Sequence, residues 1–132
     1  MDALTTLDFT ALETLAAQSD AVHAACACCS TPLTGWASLP VFFPEAQVRR
    51  IGTLILGNVD EATVAEFHPE GTDYWAPQAP IAPRYFPFNR CDAWECSVCS
   101  RVYLRYTEGG GYFVDQRIRA LTHAALVDAP LP

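Results

Sequence analysis

The chain has no lysine, a single methionine and no long apolar run among its 132 residues. Its apolar stretches, such as residues 54–56, are all far shorter than the roughly 20 residues that a membrane-spanning helix needs. The N-terminus is acidic at Asp2 and shows neither the basic nor the apolar region of a secretory signal. We therefore expect a protein that makes no membrane contact and is located in the cytoplasm.

Negative charge is concentrated in the first part of the chain. Residues 1–83 carry two arginines and ten carboxylates, residues 84–119 carry six arginines and four carboxylates, and the net charge is −7. Affinity for nucleic acid depends on neutralising phosphates, so an acidic chain is a poor general nucleic-acid binder. We expect the partner to be another protein, one that meets the acidic surface of residues 1–83.

Length and composition predict one domain over residues 1–132, because half of the residues are hydrophobic. Apolar residues at helical spacing, with Thr6 or Asp8 as a cap, predict an N-terminal helix over 9–18. The remaining patterns predict antiparallel strands, and hence an α+β fold. The predicted extended segments are 39–44, 48–56, 63–68, 102–106 and 112–118, the last two forming a hairpin through Gly109-Gly110-Gly111. A turn is predicted at 69–72 and an irregular, proline-rich loop at 76–87.

Six cysteines in a reducing compartment are best read as thiols, and four of them form two Cys-x-x-Cys pairs. Each such pair can turn two sulfurs inward on one tight loop, and two loops supply the four soft ligands that structural zinc prefers. A closed shell of four thiolates leaves no position for a catalytic water. The spacing therefore predicts a structural Zn²⁺ site. Its ligands would be Cys26, Cys29, Cys96 and Cys99.

Other ligand sets stay open. Cys28 forms a Cys-x-Cys pair with Cys26, and Cys28, Cys91 or His23 could replace one of the predicted ligands. Iron in place of zinc, or no metal, is also open. For Cys91 a small core residue is the simpler interpretation, since free cysteines are often buried.

The first pair continues as Cys29-Ser30-Thr31-Pro32-Leu33, and the second has Trp94 two positions before Cys96 and a hairpin after it. These features resemble zinc ribbons with rubredoxin-like knuckles, near 26–33 and 94–101, although they identify no specific family. Ribbons usually place glycine after the second cysteine, where φ tends to be positive. This chain has Ser30 and Ser100 there, and the residues between the knuckles would form a β-rich insertion.

An enzyme is the first alternative. His68-Pro69-Glu70 followed by Cys96 and Cys99 resembles the signature of zinc deaminases, which implies that one histidine and two cysteines hold zinc while the glutamate moves protons. In deaminases both half-motifs open helices. Here the first half runs into Gly71 and the second into a strand-like segment, so the context does not match.

The second alternative is nucleic-acid binding by the final hairpin. On alternating strand positions Arg101, Tyr103 and Arg105 share one face, and Arg117 could join them if the polar faces of both strands coincide. Such an Arg/Tyr surface suits either a protein partner or single-stranded nucleic acid. Cross-strand ion pairs with Glu108 and Asp115 would be a purely structural use of the same residues.

The three histidines are scattered, and no Ser-His-Asp or Cys-His pairing can be assembled from spacing. The sequence therefore favours a non-enzymatic, zinc-binding protein that acts through protein–protein interaction. Small acidic cytoplasmic proteins of this kind, including bacterial ones, serve as inhibitors, as immunity proteins for basic toxins, or as adaptors.

Overall fold

A computed structural model describes residues 4–110 and 112–132. These residues form one α-helix and a five-stranded antiparallel sheet of order β1-β5-β4-β3-β2. The elements are α1 (Phe9–Asp20), β1 (Ala37–Ser38), β2 (Val48–Thr53), β3 (Asp92–Cys96), β4 (Val102–Gly109) and β5 (Val114–Ala120). The predicted α+β class is confirmed for this part of the chain.

Helix α1 begins at Phe9, as the sequence predicts, and ends at Asp20, two residues beyond the predicted end at residue 18. The Asp8 carboxylate accepts a hydrogen bond of 2.8 Å from the backbone N–H of Ala11, which satisfies one of the free donors of the first turn. Leu12 and Ala16, one helical turn apart, are fully buried. The helix thus presents one apolar face to the sheet.

Both faces of β4 are buried from Val102 to Tyr106, which makes this segment the centre of the molecule. Val102, Leu104 and Tyr106 belong to the apolar cluster that contains the buried residues of α1. Tyr103, on the opposite face, belongs to a second cluster that contains the buried cysteines Cys28 and Cys96, with Phe43 and Ile118. Cys28 and Cys96 therefore lie on the opposite side of the sheet from the cluster that contains α1.

Two predicted extended segments are not strands. At 39–44 the chain turns instead, because the Phe43 N–H donates to the Pro40 carbonyl at 3.0 Å. Segment 63–68 has no ladder partner, and its carbonyls at Thr63 and Ala65 accept from Asn89 and Phe86. Conversely, β3 was not among the predicted strands, and it runs into the knuckle predicted near 94–101.

The turn at 69–72 and the final hairpin are present. The Gly71 N–H donates to the His68 carbonyl at 3.1 Å, and Gly71 has a φ of 80°, which suits glycine. In the hairpin, the Gly110 N–H donates to the Phe113 carbonyl at 2.9 Å, while Gly111 lies outside the described residues. Within the described residues no helix has the length and apolarity to cross a membrane.

Candidate metal centre

Four cysteine sulfurs come together at one end of the sheet. The Sγ atoms of Cys26, Cys28, Cys96 and Cys99 all lie within 4.8 Å of one another. The Cys26–Cys96 distance is 3.8 Å and the Cys28–Cys99 distance is 3.5 Å. Zinc bound tetrahedrally at about 2.3 Å from each sulfur requires sulfurs about 3.8 Å apart. All four are free thiols, so their spacing and chemistry fit a metal ion.

The second pair is held by the turn between β3 and β4. Cys96 ends β3, its N–H donates to the Arg101 carbonyl at 2.8 Å, and its carbonyl accepts from the Ser100 N–H at 2.8 Å. The Ser97 N–H donates to the Gln47 carbonyl at 2.7 Å, which ties this turn to the start of β2. These bonds fix both sulfurs of the pair on one side of a short loop.

The first pair is held from the other end of the chain. Cys26 is extended and Cys28 lies within a single 3₁₀ turn, Ala27–Cys29. The Tyr103 hydroxyl, which is buried, donates to the Cys28 carbonyl at 3.2 Å and lies 3.1 Å from the Cys28 Sγ. The core of the sheet thus positions a loop that is about 70 residues distant in sequence from the β3–β4 turn.

Three of the predicted ligands lie in this group, and Cys28 occupies the place predicted for Cys29. The Cys29 thiol donates to the Cys26 carbonyl at 3.3 Å instead. Adjacent residues of a 3₁₀ turn project in different directions, so only one of the two thiols can face Cys99. Cys91 is fully buried in the other core, with its thiol donating to the Pro87 carbonyl, and His23 is exposed.

Burial and hydrogen bonding shift the pKa values of the thiols in opposite directions. Burial raises the pKa of Cys28 and of Cys96. Burial also acts to raise the pKa of Cys99, but hydrogen bonds, first of all from the Arg101 backbone N–H, lower it to about 7. The Arg101 Nη1 lies 3.5 Å from the Cys99 Sγ. Metal binding would displace the remaining protons, as it does at thiolate sites in general.

The backbone at Ser100 has the positive φ that zinc-ribbon knuckles show after their second cysteine, whereas Ser30 does not. Ser100 has a φ of 75° and Ser30 a φ of −61°. The second pair therefore has knuckle geometry with a serine in a left-handed conformation that favours glycine.

We expect Ser100→Gly to raise the free energy of unfolding by about 1 kcal/mol, because glycine adopts this conformation without strain. The matched control is Ser30→Gly, which relieves nothing and adds freedom to the unfolded chain. Urea denaturation of the metal-loaded proteins measures both. Equal effects of the two substitutions would show that the strain at Ser100 is negligible.

The deaminase alternative lacks its metal site among the described residues. The His68 ring bonds to Thr72 through Nδ1 at 2.7 Å and to Glu66 through Nε2 at 2.8 Å. The four cysteines are the only His, Cys, Asp or Glu group that the described chain brings close enough to hold a metal, and neither His68 nor Glu70 belongs to it.

The predicted Arg/Tyr set does not form one exposed surface. In the β4–β5 register Arg105 lies opposite Ile118 and Arg117 lies opposite Tyr106, so the two arginines are on opposite faces of the sheet. Tyr103 is buried, as described above. The Arg105 side chain is 8% exposed, and its Nη1 donates to a carboxylate oxygen of Glu45 at 2.7 Å. Its guanidinium carbon lies 4.6 Å from the centre of the Trp94 ring.

The other two arginines of that set also have partners within the chain. Arg117 donates to Asp115 at 2.6 Å and to the Tyr74 hydroxyl at 2.9 Å, and Arg101 donates to the Cys99 sulfur at 3.5 Å. Binding of a partner by these residues stays a prediction. The structure gives them roles in packing and ion pairing.

Comparison with known proteins finds no relative of this chain: no protein-family model matches it, and no curated protein or solved structure does.

Proposed function

We propose that this protein binds one structural zinc ion through Cys26, Cys28, Cys96 and Cys99. The observation that carries the proposal is the convergence of these four sulfurs from two segments about 70 residues apart. A metal held there ties the loop after α1 to the β3–β4 turn, in the manner of a zinc ribbon. Closing so long a loop adds little entropic penalty beyond that of a short one, because the penalty grows slowly with length.

The ligand set favours a structural role over a catalytic one. Four thiolates complete the tetrahedral shell of zinc and leave no position for water or substrate. Cys28 and Cys96 are buried, which restricts access further. Metal analysis of the purified protein is the first test: one zinc ion per chain is expected, and a folded protein without metal would overturn the proposal.

The surface that supports a role in protein binding is the loop between β2 and β3. In residues 54–75 it carries five carboxylates and no lysine or arginine. All five are exposed; they are Asp60, Glu61, Glu66, Glu70 and Asp73. Four large apolar side chains are exposed in the same loop: Leu56 at 67%, Val59 at 37%, Val64 at 74% and Trp75 at 53%. Acidic groups interleaved with exposed apolar ones suit a basic protein surface.

We infer from this that the protein is a non-enzymatic binding protein whose zinc-stabilised fold presents residues 54–75 to a basic partner protein. Inhibitors, immunity proteins and adaptors have this mode of action. The charge of the loop would speed association and select the partner, while the apolar side chains would supply buried area.

The role of the loop's charge in binding can be tested with two variants that have the same net charge. We expect Asp60→Asn/Glu61→Gln/Glu70→Gln to weaken binding of a partner isolated from the native host at least about tenfold at low salt, because the loop loses most of its steering charge. Glu13→Gln/Glu108→Gln/Asp128→Asn is the control, since it removes the same charge outside the loop. Calorimetry at two salt concentrations gives both affinities. Equal loss in the two variants would contradict a role for this loop.

A further inference from the structure

Gln47 lies beside the four-sulfur group and belongs to a third segment of the chain. It is the last residue of a short 3₁₀ turn, Glu45–Gln47, immediately before β2. Its backbone carbonyl accepts hydrogen bonds from the Ser97 N–H at 2.7 Å and from the Ser97 hydroxyl at 2.9 Å. Its own N–H donates to the Pro44 carbonyl at 2.9 Å. These bonds fix the backbone of residue 47 next to the turn that carries Cys96.

The side-chain amide of Gln47 reaches one sulfur of each cysteine pair. Its Oε1 lies 3.7 Å from the Cys26 Sγ and 3.8 Å from the Cys96 Sγ, and those two sulfurs are 3.8 Å apart. While both sulfurs are protonated, each thiol can donate to this oxygen. A single amide therefore spans the two segments that the proposed metal joins.

Zinc reverses the hydrogen-bonding character of these two sulfurs. A zinc-bound cysteine is a thiolate, which has no proton and only accepts. The amide oxygen is also only an acceptor, so it would face two negatively charged sulfurs with no proton between them. Half a turn about the last side-chain bond exchanges the amide oxygen with the amide nitrogen and leaves the backbone in place. That nitrogen carries two N–H groups, one for each sulfur.

We propose that Gln47 is a positioning residue of the metal site, and that its amide donates one N–H to each of the Cys26 and Cys96 sulfurs when zinc is bound. This inference rests on the zinc site proposed above. The amide would hold the two cysteine pairs at the separation that a single ion requires. Hydrogen bonds to charged acceptors are stronger than those between neutral groups, so the amide also stabilises the thiolates.

The other two sulfurs of the group have side-chain donors of their own. The Tyr103 hydroxyl lies 3.1 Å from the Cys28 Sγ, and the Arg101 Nη1 lies 3.5 Å from the Cys99 Sγ. Four thiolates give a zinc site an excess of negative charge, which donors around the ligands stabilise. With Gln47 turned as proposed, each of the four sulfurs faces a side-chain donor.

The substitution Gln47→Glu separates a donor from a metal ligand. Glutamate has nearly the same shape but offers only oxygens, so we expect it to weaken zinc binding about a hundredfold, the upper end for residues around metal ligands. If the Gln47 oxygen were instead a zinc ligand, the carboxylate would bind zinc at least as tightly as the amide. Gln47→Met has neither donor nor charge and should weaken binding about tenfold. Both variants keep the backbone hydrogen bonds of residue 47.

Gln116→Glu is the matched control, because it makes the same change at an exposed position of β5 and should leave zinc affinity unchanged. Competition with a chelating dye measures the affinity of each metal-loaded protein. A spectroscopic signature separates donation to sulfur from a general structural role. In the cobalt-substituted protein, loss of an N–H···S bond raises the electron density on sulfur, so the sulfur-to-cobalt charge-transfer absorption should move to longer wavelength in Gln47→Met and not in Gln116→Glu.

Undiminished zinc binding by Gln47→Glu, or unchanged affinity or absorption in Gln47→Met, would overturn the proposal. If Gln47→Glu does not fold, Gln47→Met decides. The natural protein distinguishes this failure from that of the metal site itself. If it contains zinc while the Gln47 variants bind zinc equally well, only the role of Gln47 is wrong, whereas a natural protein without zinc would overturn both proposals.

Discussion

Replacing Cys28 with serine is expected to abolish zinc binding and to leave the protein without a cooperative unfolding transition. Structural zinc contributes about 10 kcal/mol or more to the folding of small zinc domains, which is comparable to the whole stability of an ordinary domain. The Cys28 Sγ lies 3.5 Å from the Cys99 Sγ within the four-sulfur group. Removing the Cys28 sulfur therefore leaves three ligands and an incomplete coordination shell. Metal content by mass spectrometry and unfolding followed by circular dichroism measure both effects.

The neighbouring Cys29→Ser is the matched control, because it makes the same chemical change one residue away. Its thiol bonds only to the Cys26 carbonyl in the structure, a contact that a serine hydroxyl can also make. We expect full zinc content and a change in the free energy of unfolding within about 1 kcal/mol. Loss of zinc from Cys29→Ser, with retention in Cys28→Ser, would show that the ligands follow the Cys-x-x-Cys spacing instead.

Leu12→Ala is expected to lower the free energy of unfolding by about 2–5 kcal/mol, the range for deleting a fully buried leucine. Leu12 has no exposure and belongs to the core cluster shared by α1 and β4. The molecules that remain folded should keep their zinc, because the four cysteines of the proposed site belong to the other core cluster. Urea denaturation with parallel zinc analysis tests both statements.

The control on the same helix is Thr14→Ala, at an exposed position. Alanine is the best helix former, so this substitution should leave stability within about 0.5 kcal/mol of the natural protein or raise it slightly. If Leu12→Ala proved as mild as Thr14→Ala, α1 would not be anchored to the sheet as described.

Local patterns in the sequence predict the helix, the final hairpin and the presence of a thiol site. The helix follows from the helical spacing of Phe9 and Leu12 and from the cap at Asp8. The glycines after β4 predict its reversal of direction. Each of these signals is contained within a few residues, where chemical preference and conformation are closely linked.

Features that depend on contacts between residues distant in sequence could not be predicted from such local patterns. The choice of Cys28 over Cys29 depends on how a 3₁₀ turn is oriented by the buried Tyr103 hydroxyl. The separation of Arg105 from Arg117 follows from the β4–β5 register, which a one-residue shift would reverse. The burial of Arg119 likewise depends on distant residues, because backbone carbonyls of the proline-rich loop accept its hydrogen bonds.

X-ray absorption at the zinc edge of the purified protein identifies the atoms bound to the metal. We expect one zinc ion per chain with a shell of four sulfurs at about 2.3 Å and no nitrogen or oxygen ligand. A shell that contains a histidine nitrogen or a water oxygen, or a protein that folds with no bound metal, would contradict the four-cysteine zinc site.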